Sequence, residues 1–198
     1  MNTHKTNYTV GIGASAGGLE SLSEFFQHIP AELNMAFVVV THLHRDHKSI
    51  LDRLLKTDAR LPVHRVEKDI KIEPGNIYVL IENTQLQIKD SELKVKTRDK
   101  KILNSSIDIF FESLAEDYAD KAIGIILSGG GSDGLEGAKA ISKAGGLILV
   151  QDPLSAKAEG MPKSIIGHDH PSAVLRPGEL AERLVEWCQP AREHGHAT

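Results

Sequence analysis

Three residue types suited to acyl chemistry stand in loops that follow short apolar runs: Ser15, His42 and Asp133. Ser15 lies in Gly11-Ile12-Gly13-Ala14-Ser15-Ala16-Gly17-Gly18, after the strand-like Tyr8 to Ile12 and before Leu19, Leu22, Phe25 and Phe26 at helical spacing. Gly13 and Gly17 flank it as G-x-S-x-G, an arrangement that allows a tight strand-to-helix turn and close approach of a substrate to the main chain. The amides of Ala16 and Gly17 then open a helix, whose positive end suits an oxyanion. A hydroxyl nucleophile needs a base within hydrogen-bond reach and a third group to orient that base. His42, after the apolar run Ala36 to Val40, supplies the base, and Asp133, after Ala122 to Leu127, supplies the orienting carboxylate. In open parallel sheets, ligand sites form outside the carboxyl ends of the strands, where all three loops fall.

The same segments admit other chemistries. Gly11-x-Gly13-x-x-Ala16-Gly17 approximates a dinucleotide-binding turn, but the second strand ends in Thr41-His42 rather than in the acidic residue that would hold a ribose. His42-Leu43-His44-Arg45-Asp46-His47 spells a zinc-ligating H-x-H-x-D-H, with His64 and His168 as further imidazoles. That reading leaves the glycine-rich turns at Ser15 and Asp133 unexplained. A non-catalytic docking module is the third alternative, since fold alone never fixes function.

The elements that position these residues read as one α/β domain over residues 1–190, followed by a polar tail, 191–198. The expected fold is doubly wound, a mainly parallel sheet with helices on both faces and a small antiparallel β-hairpin insert. Strands are expected near 36–40, 63–66, 122–127, 147–150 and 173–175. Ile77 to Ile81, Leu86 to Ile88 and Leu93 to Val95 are expected to form the hairpin insert. Ser105 or Ser106 is expected to cap a helix bearing Ile107, Phe110, Phe111, Leu114 and Tyr118. Further helices are read around Leu51, over 135–143 and over 178–187, with a loop at Gly160-Met161-Pro162. Ser128 and Ser132 are read as shaping a loop or capping a helix.

Composition narrows the function classes. In 198 residues with a formal net charge of −4, no basic cluster points to nucleic acid. No run approaches the roughly 20 apolar residues of a membrane span, and the first seven residues carry no signal-peptide core. The single cysteine, Cys188, makes no internal disulfide. The expectation is a cytoplasmic protein with no membrane insertion.

The combined motifs resemble the catalytic domain of the chemotaxis-receptor methylesterases, the CheB family. The matching stretches are Gly13 to Gly18, Val40-Thr41-His42-Leu43, Ser106 to Phe111, Ile126 to Gly134, and Gln151-Asp152 through Gly160-Met161-Pro162. The texture is that of esterase domains joined to a receptor methyltransferase in long fusions. The resemblance implies a protein-glutamate methylesterase with Ser15 as nucleophile, His42 as base and Asp133 as orienter, methanol as leaving group, and glutamine deamidation as a companion activity. It implies receptor signalling helices as substrate, a methyltransferase or receiver domain outside this chain as partner, and no cofactor. Neither a methyltransferase nor a phospho-acceptor domain is read within these residues, so control by phosphorylation is not expected from them. The chain departs from the family pattern at Ala16, where many members have threonine, at Gly130, often Met or Thr, and at Ile81-Glu82, where the fusion type tends to have prolines. Gly130 is expected to loosen one wall of the substrate pocket, and Met161 is read as lining that pocket or packing in the core.

Overall fold

Glycine decides how closely a helix lies on the central sheet. In a computed structural model describing residues 8–42, 50–99 and 103–188, strand β1 (Thr9–Ala14) turns Val10, Ile12 and Ala14 to one core and Gly11 and Gly13 to the other face. A Cβ at Gly11 would stand 2.9 Å from the Phe111 ring, and one at Gly13 would stand 2.6 Å from Ile107. Both residues belong to helix α3 (Ser106–Tyr118), which therefore seats directly on the sheet. Gly13 thus makes room for a helix rather than relaxing the turn at Ser15.

Helix α1 (Gly18–Gln27) follows, then β2 (Ala36–Thr41), α2 (Leu51–Asp58), β3 (Val63–Val66), the short β4 (Ile70–Lys71), β5 (Asn76–Leu80), β6 (Thr84–Lys89) and β7 (Glu92–Thr97). After α3 come β8 (Ala122–Ile126), α4 (Leu135–Lys143), β9 (Leu147–Gln151), α5 (Gly160–His168), β10 (Ala173–Leu175) and α6 (Pro177–Cys188). Seven strands form a parallel sheet in the order β10-β9-β8-β1-β2-β5-β3. The chain winds outward from β1 through β2 on one side and through β8 on the other. The switch point of this doubly wound sheet therefore lies at β1 and β8.

The apolar surface splits into two cores. On one face Leu22, Phe25 and Phe26 of α1, Leu51 and Leu55 of α2, and Leu180 and Leu184 of α6 pack on Ile12, Phe37 and Val39. The rings of Phe25, Phe26 and Phe37 meet edge to face at 5.2–6.3 Å. Each such fully buried side chain contributes roughly 1.5–3 kcal/mol of transfer free energy. On the other face Ile107, Phe110, Phe111 and Leu114 of α3, with Ile141 of α4 and Ile165 of α5, cover Val38, Val40, Ile126 and Val150.

Three sequence readings change. Ile77 to Leu80 belong to β5, which pairs in parallel between β2 and β3, so the antiparallel element is β4-β7-β6 and not a three-strand hairpin including residue 77. The continuous apolar run marked a doubly covered strand. Gly160-Met161-Pro162 opens α5 rather than forming a loop, because proline is tolerated in the first helical turn, where its missing N–H has no intrahelical partner. Leu19 is 40% exposed on the first turn of α1 and does not join Leu22 in the core. Among the described residues, no helix is long and apolar enough to cross a membrane. The tail after 190 lies outside them.

Candidate active site

Backbone hydrogen bonds carry the sheet past its strand ends and set the loops in register. Ser15 N–H donates to Ser128 O at 2.9 Å, Leu127 N–H to Gly13 O at 2.9 Å, and His42 N–H to Ala14 O at 3.3 Å. The loops after β1, β2 and β8 are thereby held side by side at the switch point. Ser15 and His42 leave them half-buried, the His42 side chain being 23% exposed and that of Asp133 only 7%.

His42 Nδ1 lies 3.2 Å from Ser15 Oγ, and His42 Nε2 lies 2.6 Å from Asp133 Oδ2. Asp133 also accepts from two backbone amides: Ile107 N–H reaches Oδ2 at 3.1 Å and Asp108 N–H reaches Oδ1 at 2.9 Å. A carboxylate with three N–H groups aimed at it accepts from all three, so Nε2 carries the imidazole proton and Nδ1 offers its lone pair to the serine hydroxyl. This ring orientation is the reverse of the serine-protease template, in which Nε2 faces the serine. It leaves the chemistry unchanged, because either nitrogen takes a proton once the other is held. The array can withdraw the Ser15 proton, hold the resulting imidazolium against a carboxylate, and return the proton to a leaving group.

The nucleophile turn is conventional in backbone terms. Among the described residues Ser15 is not one of those with positive φ, whereas Gly17 is, at 72°. A side chain at Gly17 would stand 2.5 Å from Lys157 Cβ and 2.8 Å from Ser128 Oγ. The strain of a hydrolase-type nucleophile elbow is therefore absent, and the left-handed residue comes two positions later, at the mouth of α1.

Its sequence context marks Ser128 as a loop-shaping or helix-capping residue, and its contacts are more specific. Fully buried, it donates through Oγ to Ala16 O at 2.7 Å and receives Ala158 N–H at 3.0 Å. Its own N–H donates to the buried Gln151 Oε1 at 2.8 Å. It ties the Ser15 turn to the loops after β8 and β9 and fixes the plane of the Ala16–Gly17 peptide. The expected cap of α3 by Ser105 or Ser106 does not occur: Ser105 makes no capping bond, Asn104 Oδ1 accepts the Ser106 amide at 3.3 Å, and Asp133 accepts those of Ile107 and Asp108. A helix end meeting a carboxylate is favourable on both counts, hydrogen bonding and dipole.

Around this array, Met161 is fully buried in the core beneath Gly129. A Cβ at Gly129 would lie 2.2 Å from Met161 Sδ and 3.0 Å from Ser15 Cβ, while one at Gly130 would meet nothing within 4 Å. We expect Gly129→Ala to lose about 1–3 kcal/mol of stability by overpacking and to displace Ser15. Gly130→Met is expected to melt like wild type and to alter KM for ester substrates with little change in kcat, as read by denaturation and steady-state kinetics.

Of the zinc-type motif, His44, Asp46 and His47 lie outside the described residues, and both ring nitrogens of His42 are engaged by Ser15 and Asp133. The other imidazoles considered have local partners: His64 Nε2 with Asn76 Oδ1 at 2.7 Å and its ring stacked on Tyr78, and His168 Nδ1 with Ser164 O at 2.9 Å. Among the described residues no group of three or more His, Cys, Asp or Glu has metal-binding geometry. Cys188 packs against Met35, and burial pushes its thiol up to about 11, away from thiolate chemistry.

Residues 10–184 match the family model described as CheB methylesterase. The chain belongs to the CheB methylesterase family. A Leptospira interrogans chain is 34% identical over 186 residues, covering 92% of this chain and 96% of its own length. The Pseudomonas aeruginosa "Protein-glutamate methylesterase/protein-glutamine glutaminase 3" is 33% identical over 179 residues, which are 89% of this chain and 53% of that protein. This chain thus spans nearly all of the first relative and about half of the second. Among solved structures, the Thermotoga maritima CheB methylesterase catalytic domain superposes with a TM-score of 0.82 at 28% identity, over 91% of this chain and 98% of that one. The CheB fold accounts for both the seven-stranded parallel sheet and the small antiparallel sheet.

Proposed function

We propose that this CheB-family chain hydrolyses γ-methyl esters of glutamate on chemotaxis-type receptors, with Ser15 as nucleophile, His42 as general base and acid, and Asp133 as the group that orients and charges His42. The observation that carries the reading is the continuous contact from Ser15 Oγ through His42 to Asp133, at 3.2 and 2.6 Å. Ser15 attacks the ester carbonyl as its proton passes to His42 Nδ1. The oxyanion is met by the amides of Ala16 and Gly17 at the mouth of α1, positioned by Ser128. His42 protonates the departing methoxide, methanol leaves, and an acyl-serine remains. Water, deprotonated by the same nitrogen, then releases the free glutamate and restores Ser15. With a glutamine side chain as substrate the same cycle expels ammonia, which is the companion deamidation.

The substrate helices belong to methyl-accepting receptors, and a receptor methyltransferase or a receiver domain acts as partner from outside these residues. The domain works in the cytoplasm as one unit over residues 1–190, without a cofactor. A methyl-esterified receptor fragment releasing methanol in proportion to enzyme, with equal rates with and without chelator and for His44→Ala, is the expected result. Loss of methanol release on chelation would replace this reading with a metal-dependent one.

A further inference from the structure

Helices α3 and α4 exchange their N-terminal caps. Asp133, which precedes α4, accepts from Ile107 and Asp108 in the first turn of α3. In return Asp108 Oδ1 accepts Gly134 N–H at 2.9 Å and Gly137 N–H at 2.8 Å, the entry and first turn of α4. Neither helix is capped by the residue that precedes it, Ser105 or Gly134. The residue after Asp133 is therefore gripped by Asp108, while the Asp133 carboxylate is gripped by the backbone of Asp108 and its neighbour. No other side chain among the described residues touches both the loop bearing Asp133 and the helix holding its carboxylate through reciprocal bonds of this kind.

We propose that Asp108 is a positioning residue for the Ser15–His42–Asp133 array: it fixes the Asp133 backbone by capping α4, and its negative charge beside Asp133 strengthens the hold on a protonated His42. This inference rests on the proposed triad. The geometry restricts Asp133 to one placement relative to α3, and so sets the 2.6 Å approach to His42. Burial pushes the Asp108 carboxyl up to about 6, opposed by the Gly137 and Gly134 amides and reinforced by the neighbouring charge of Asp133. A half-buried carboxyl placed beside Asp133, where its ionisation costs stability, is the pattern of a group kept for function rather than for folding.

Other charges around Asp108 are few. On α4, Glu136 and Lys139 pair with each other at 2.8 Å on the exposed side. On α3, Glu112 is exposed one turn onward. Strand β6 meets α3 farther along, at Ser113, with Lys89 exposed at its end. Strands β1 and β8 present apolar residues and glycine to α3, and β2 delivers His42, which reaches Asp108 only through Asp133.

Asp108→Asn keeps the oxygen that caps α4 and removes the charge. Because the folded value, about 6, lies above the ordinary carboxylate value of ~3.9, the stability linked to this proton is present below the lower value and is lost as pH rises through the upper one. Asp108→Asn is therefore expected to melt above wild type at pH 8, with the difference vanishing below pH ~4. Its labelling at Ser15 by a serine-directed phosphonate is expected to be about tenfold slower, with the acid limb of the labelling rate moved to lower pH. Asp108→Ala, which also loses the caps, is expected to label about ten- to a hundredfold more slowly than wild type. Should the alanine variant not fold, the asparagine variant decides alone. A folded Asp108→Asn that labels at the wild-type rate, or with an unmoved acid limb, overturns the inference. Wild-type protein that does not label at Ser15 would instead remove the triad on which it rests.

Discussion

Ser15→Ala is expected to remain folded and to lose about 10⁴- to 10⁶-fold in ester turnover. The side chain is half-buried and contributes only its hydroxyl to the contact with His42, so its loss opens no cavity of consequence. The backbone bonds that set the turn, Ser15 N–H to Ser128 O and Gly18 N–H to Ser15 O, survive the change. Binding should be nearly untouched, and the defect should fall on kcat, because the missing bond is the covalent one of the acyl intermediate. Residual rate would come from oxyanion contacts and a water held by His42. Methanol release measured on folded protein checks this. A loss of less than tenfold would place the nucleophile elsewhere.

Asp133→Asn is expected to lower turnover by about 10⁴ while leaving Ser15 in place. An asparagine amide turned toward His42 donates to Nε2, which forces the proton onto Nδ1, the nitrogen facing Ser15 Oγ. That tautomer cannot accept the serine proton. The substitution also weakens the bonds that Asp133 accepts from Ile107 and Asp108, at a cost of about 1 kcal/mol. A 10⁴-fold effect corresponds to about 5.5 kcal/mol in the barrier, so the tautomer effect exceeds the capping effect severalfold and the two separate cleanly. Equilibrium unfolding reads the smaller term and kcat the larger one. A variant whose rate loss merely tracks its lost stability would contradict an orienting role for Asp133.

The strand-end loops were legible from sequence because apolar runs and the residues just past them are local features. Ser15, His42 and Asp133 are selected on that basis, and His42 lies within hydrogen-bond distance of both Ser15 and Asp133. The ring orientation of His42 was not legible, because it depends on Asp133, 91 residues away. Local preference places the cap of α3 at Ser105 or Ser106, but the acceptor for Ile107 and Asp108 arrives from the loop before α4, and a short-range rule cannot see it. Strand β5 reads with the hairpins because it is close to them in sequence, whereas its buried run Ile77 to Leu80 marks a strand covered on both faces. Gly160-Met161-Pro162 reads as a loop from its residue types, although Pro162 sits in the first turn of α5, where proline is tolerated. Ser128 carried no motif of its own. Its importance lies in joining three loops, a property of the assembled sheet rather than of the segment.

The most direct test of the account is intact-mass and peptide analysis of the protein treated with a serine-directed phosphonate, alongside Ser15→Ala and with and without chelator. One adduct per chain, located at Ser15, absent from the alanine variant and indifferent to chelator, is the predicted result. Well-folded wild-type protein that acquires no adduct at Ser15 would contradict an activated serine at the end of β1.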